Sequence, residues 1–199
     1  VLSGSNTYTG TTTVAAGVLQ ISNGFAIGDT NIVTLSNTAG ATLEVHSSET
    51  VGSLRGGGSS GGTVNLASGV TLAVAETNSQ TFSGSVDGPG ILAMVGTGTL
   101  TLAGSNTHAG GTIISNGQVT LSTNGSLRFV IGADGINSAV TGTGAVDLRG
   151  QFQFDLSGAA TNVGATWTIV AGSVSQTYGT NFIVSGFNGA AGNWTNTTN

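Results

Sequence analysis

Apolar and polar residues alternate in short runs, and glycine or asparagine breaks nearly every run. Gly17-Val-Leu-Gln-Ile-Ser22, Ala41-Thr-Leu-Glu-Val45, Gly62-Thr-Val-Asn-Leu66 and Gly69-Val-Thr-Leu-Ala-Val74 set the pattern. Gly98-Thr-Leu-Thr-Leu102, Gly117-Gln-Val-Thr-Leu121, Ser126-Leu-Arg-Phe-Val-Ile131 and Gln151-Phe-Gln-Phe-Asp-Leu156 continue it. A period of two puts alternate side chains on opposite faces of an extended chain, which is the mark of a half-buried strand. No stretch sustains a 3.6 period, and 35 glycines disfavour helix interiors. The inward set reads as Leu19, Ile21, Leu43, Val45, Val64, Leu66, Leu72, Val74, Phe82, Leu92, Leu100, Leu102, Val119, Leu121, Leu127 and Phe129.

The connections, such as Ser22-Asn-Gly24, Ser36-Asn-Thr-Ala-Gly40, Arg55-Gly-Gly-Gly-Ser-Ser-Gly-Gly62, Asp87-Gly-Pro-Gly90 and Thr123-Asn-Gly125, suit tight corners. Short strands with frequent corners fit an antiparallel sandwich or barrel, or a solenoid of stacked coils. A repeat separates the two. Leu2-Ser-Gly-Ser-Asn-Thr-Tyr-Thr-Gly10 returns as Leu102-Ala-Gly-Ser-Asn-Thr-His-Ala-Gly110, and the match extends through Ser22 and Ser122. Self-similarity of this kind marks stacked architectures. The fold expected is all-β, a right-handed parallel β-helix (β-solenoid). It would have roughly eight to ten coils of about 20 residues and a rod about 40–50 Å long. The two copies of the motif are expected at corresponding corners several coils apart, with Asn6 and Asn106 bonding backbone groups.

Composition narrows the function classes. The net charge is −5, there is no lysine, and Arg55, Arg128 and Arg149 are the basic residues. Such a chain repels phosphate backbones, so no nucleic-acid partner is expected. Cysteine is absent, which excludes disulfides and thiolate metal sites. No apolar run reaches the roughly 18 residues of a membrane helix, so no membrane-spanning segment is expected. The first residue is Val, and no signal peptide is visible; the chain reads as part of a longer protein.

The stretch Gly98 to Thr112, followed by Gly117-Gln-Val-Thr-Leu121, resembles the autotransporter-associated β-strand repeat. That repeat occurs in bacterial autotransporter passengers and giant surface proteins. The first copy matches it from partway in, and Thr81-Phe-Ser-Gly-Ser-Val-Asp-Gly-Pro-Gly-Ile-Leu92 is similar to the segment that precedes the motif. The resemblance implies an extracellular or cell-surface stalk or passenger and transfers no catalytic residue. It covers about residues 1–130, read as the solenoid repeat region. Residues 131–199 read as the solenoid end or a C-terminal cap, because Phe152, Phe154, Trp167, Tyr178, Phe182, Phe187 and Trp194 gather there.

Sites of chemistry are few. The acids are Asp29, Glu44, Glu49, Glu76, Asp87, Asp134, Asp147 and Asp155. Glycosidase or lyase chemistry needs two or more carboxyl groups converging in a cleft. Glu44 and Glu49 precede Arg55, and coil stacking would align Glu44 with Glu76, yet the expectation is solvated surface charge. His46 and His108 lack the neighbours of a metal site, and His108 is expected as a tolerated corner residue in the place of Tyr8. Gly56 to Gly62 lacks the lysine of a phosphate loop, and no G-x-S-x-G elbow occurs. The sequons at Asn124, Asn193 and Asn196 reflect the abundance of Asn and Thr.

These readings point to no enzyme, no catalytic residues, no metal and no cofactor. The expected function is a non-catalytic extracellular structural protein: a surface stalk, adhesin segment or self-stacking fibre subunit. Its expected partner is a second copy, head to tail, or more of the same repeat protein, since an open solenoid end templates further pairing. The alternative is a carbohydrate-binding module for surface polysaccharide, with Trp167, Tyr178 and Trp194 stacking on sugars. A polysaccharide-acting enzyme and an ice-binding protein with outward Thr rows rank below it.

Overall fold

In a computed structural model, described over residues 1–133, 135–160, 162 and 164–185, every regular element is a strand. All ladders between strands are parallel. The chain is a parallel β-solenoid with three faces.

The first face is an eight-stranded sheet running from Thr12–Val14 to Ser175–Tyr178. The second begins with Val18–Ile21, Thr42–Val45, Thr63–Leu66 and Ser85–Asp87. It continues with Ser105–Asn106, Ser126–Val130, Gln151–Asp155 and Ile183–Ser185. Its two halves meet at Asn106, whose Oδ1 accepts the Val86 N–H while the Thr107 N–H donates to the Val86 carbonyl. The third face holds Glu49–Val51, Thr71–Val74, Ile91–Met94, Thr112–Ile114 and Val140–Gly142.

About six coils are complete on all three sides, fewer than the eight to ten expected. The shortfall arises because coils are unequal, from 19 residues between the paired Leu102 and Leu121 to 32 between Gln151 and Ile183. Eight stacked strands give a rod about 35 Å long.

The bore is filled by the alternating apolar residues. Val14, Leu35, Phe82, Leu102, Leu121 and Leu148 form one inward file, with Gly56 between Leu35 and Phe82. Fifteen of the sixteen expected inward residues are buried. The exception, Leu19, is half-buried on the first level, which has no third-face strand, and packs against the core from there. Each such side chain contributes about 1.5–3 kcal/mol relative to exposure.

Glycines stack where the first face turns into the second. Gly62, Gly84, Gly104, Gly125 and Gly150 each precede a strand of the second face. An added Cβ would stand 1.8 Å from the Gly62 carbonyl oxygen at Gly84 and 2.0 Å from the Gly84 carbonyl oxygen at Gly104. The backbones of successive coils touch here, so the column has no room for any side chain. The seven-residue glycine–serine corner folds back on itself, with Gly58 and Gly61 paired and the Ser60 N–H donating to Asn37 Oδ1.

Candidate functional site

The repeated motif is the first candidate, and its two copies make the same bonds. Asn6 Nδ2 donates to the Gly4 carbonyl at 3.0 Å and to the Ala26 carbonyl at 2.9 Å. Asn106 Nδ2 donates to the Gly104 carbonyl at 3.0 Å and to the Ser126 carbonyl at 3.1 Å. Two residues on, Tyr8 Oη meets Thr12 Oγ1 at 2.5 Å and His108 Nε2 meets Thr112 Oγ1 at 3.0 Å. Each asparagine ties its own corner to the next coil, so the motif is a structural joint.

The copies do not occupy corresponding corners. Thr12–Val14 lies on the first face and Thr112–Ile114 on the third. Val18–Ile21 lies on the second face and Gln118–Leu121 on the first. The second copy is thus rotated by one side of the coil. Unequal coil lengths bring this about: a hundred residues is not a whole number of coils.

His108 is not merely a tolerated corner residue. Tyr8 is 38% exposed, whereas His108 is 1% exposed and its Nδ1 has no hydrogen bond of good geometry. Burial holds its pKa down to about 4, opposed by the nearby Val86 carbonyl and Asp87.

The acids are not all solvated. Glu49 is buried and accepts the Ala26 and Ile27 N–H groups at 3.2 and 2.9 Å. Burial raises its pKa, against those two hydrogen bonds. Buried Glu76 accepts the Ser53 hydroxyl at 2.5 Å and the Thr77 and Asn78 N–H groups at 3.1 and 3.0 Å. Asp147 is buried against Arg149, with Nε donating at 2.8 Å, and Asp155 pairs with Arg128. Two corners, at Ala26–Ile27 and Thr77–Asn78, present backbone N–H groups that a carboxylate accepts. Replacing Ser53 with Ala should destabilise the chain by about 1–2 kcal/mol, because the buried Glu76 loses a donor. Urea unfolding of the variant checks this.

Glu44 and Glu76 do not align. Glu44 sits on the second face, paired with Gln20 and Asn65, and its carboxylate lies 3.4 Å from His46. Glu76 follows the third-face strand Thr71–Val74. Asp29 is exposed, and Asp87 accepts the Ser85 and Thr107 hydroxyls. Asp134 lies outside the described residues. Among the described residues no three acids or histidines gather as a metal site would require.

Of the aromatics expected to stack on sugars, Trp167 is engaged in the fold and Tyr178 is partly exposed. Trp167 packs against the core, and its indole N–H donates to the Ala133 carbonyl at 2.9 Å. Tyr178 is 41% exposed and leans on Phe182, ring centroids 5.3 Å apart. Trp194, Phe187, Asn193 and Asn196 lie outside the described residues. The outward threonines Thr81, Thr101 and Thr120 form a single file that Asp147 interrupts and Thr177 resumes.

A shallow groove of about 630 Å³ runs beside the glycine column. Gly84 and Gly104 lie in it, and Thr63, Ser85 and Ser105 edge it. The hydroxyls of Ser85 and Thr63 lie 3.3 Å apart, and that of Ser126 lies 3.2 Å from Ser105. This hydroxyl ladder was not read from the sequence, because it follows from register between coils.

Comparison with known proteins bears on this arrangement. Residues 1–21 and 92–121 match the family described as Passenger-associated-transport-repeat. The adhesin BmaC autotransporter of Brucella suis biovar 1 (strain 1330) is 40% identical over 121 residues. That alignment covers 59% of this chain and 4% of the relative, so the chain spans a small part of that protein's length. No solved structure matches.

Proposed function

We propose that this chain, a β-solenoid carrying autotransporter passenger repeats, is a non-catalytic structural segment of a bacterial surface adhesin. The observation that carries the reading is the use of its ionisable groups. Glu49 and Glu76 bond from one coil to the next, at Ile27 and Ser53, while Asp147 and His108 are engaged within their own coil, by Arg149 and Thr112. Among the described residues no pair of carboxyl groups converges in the groove. The similarity to a much longer adhesin supports a place at the cell surface or outside it, as one length of a rod.

Continuation of the rod by further coils, or by a second copy stacked head to tail, extends this reading. The strand Thr12–Val14 is the edge of its sheet, and Val18–Ile21, paired with Thr42–Val45 on one side, is met on its outer side by a bridge from Leu2. Such edges accept a further parallel strand.

Cells displaying the chain on a carrier should adhere better than cells displaying the carrier alone, and the purified chain should leave a panel of polysaccharides uncut. Cleavage of any polysaccharide, or adhesion equal to that of the carrier, would overturn the reading. The groove with its hydroxyl ladder favours a second reading, a polysaccharide-binding surface, and retention on a glycan array would support it.

A further inference from the structure

We propose that Asn116 is a site of spontaneous modification, at which the folded chain deamidates ahead of its other described Asn–Gly pairs. Three such pairs lie among the described residues: Asn23-Gly24, Asn116-Gly117 and Asn124-Gly125. All three share the intrinsic chemistry, because glycine leaves the attacking nitrogen unhindered. The fold separates them.

At Asn124 the Gly125 N–H is held by the Ser122 carbonyl at 2.9 Å. At Asn23 the side chain is held at both ends: Nδ2 donates to the Ser3 carbonyl at 3.0 Å, and Oδ1 accepts the Phe25 N–H at 3.3 Å. At Asn116 neither restraint exists. The side chain is exposed, and the Gly117 N–H donates only to the Oδ1 of Asn116 itself, at 2.9 Å. The nitrogen that must attack is therefore free of backbone bonds and already beside the amide it attacks.

The Gly117 nitrogen gives up its proton to solvent base and bonds to Asn116 Cγ. The Cγ–Nδ2 bond breaks, and ammonia leaves with a proton from solvent. One water then opens the succinimide at either carbonyl, giving aspartate or isoaspartate.

The site sits at a corner without slack. Gly117 has a φ of +61°, and an added Cβ there would stand 2.5 Å from the carbonyl oxygens of Gly96 and Gly98. Isoaspartate routes the main chain through the side-chain carbon and lengthens it by one atom. The corner between Thr112–Ile114 and Gln118–Leu121 then loses its fit to the coil beneath, so the rod softens with age at one level.

The test is incubation of the whole chain at mildly alkaline pH, with mass-spectrometric peptide mapping that resolves aspartate from isoaspartate. Asn116 should convert several-fold faster than Asn23 and Asn124 in buffer, and the three rates should draw together in denaturant. A faster Asn23 or Asn124 in the folded chain, or the same ratios in buffer and denaturant, would overturn the proposal. Asn116→Ser removes the amide and keeps an exposed polar corner. Its melting temperature should hold through an incubation in which the unaltered chain drifts down; equal drift would overturn the link between modification and softening.

Discussion

Replacing Gly104 with Ala is expected to destabilise the chain by about 3 kcal/mol, while the same change at Gly4 is expected to have almost no effect. The two glycines hold the same place in the two copies of the motif. An added Cβ at Gly104 meets the Gly84 carbonyl oxygen at 2.0 Å and the Gly84 carbonyl carbon and Ser83 carbonyl oxygen at 2.8 Å. Those are main-chain atoms stacked between coils, so relief requires the coils to part. At Gly4 nothing lies within 4 Å. Ala also restricts the unfolded chain, a stabilising effect of about 0.4–1 kcal/mol common to both sites, so the difference between the variants isolates the packing. Denaturant midpoints of the two variants measure that difference. Equal midpoints would mean that the glycine column is not a close contact.

Acidification is expected to weaken the fold through His108. Its folded pKa lies near 4 and its ordinary value is 6.5. Between the two the unfolded chain binds a proton that the folded chain does not, so stability is full above 6.5 and falls as pH falls towards 4. The shift corresponds to about 3 kcal/mol. Glu49 opposes this: its folded pKa is raised, so its contribution favours the fold at lower pH. His108→Gln keeps a donor for Thr112 Oγ1 and removes the titration. As pH falls from 6.5 to 4, unfolding midpoints should fall for the unaltered chain and should not fall for His108→Gln, in which Glu49 remains. The same fall in both would assign the acid sensitivity elsewhere.

Much of the fold is legible in the residues. Alternation identified the inward set, since Leu43, Leu66, Leu102 and Leu121 have no other way to leave water. The Gly-Ser-Asn corner was legible as a corner, because Asn there has short-range backbone partners such as the Gly4 and Gly104 carbonyls. The candidate site was less so. Glu49 and Glu76 carry no mark that separates them from solvated acids, and their partners lie about a coil away, at Ala26 and Ile27 for one and Ser53 for the other. His108 and Tyr8 are equivalent in the motif, yet one is buried and the other half-exposed.

The sequence by itself determined that this chain makes strands, which side of each faces inward, and where the main chain turns. Those properties depend on neighbours two to four residues apart. Only the tertiary structure decided how the coils stack, because coil length varies from corner to corner and the offsets accumulate along the rod. That accumulation turned the second copy of the motif onto another face. It also set Ser and Thr hydroxyls in a ladder beside the glycine column, and buried one imidazole where its counterpart meets water.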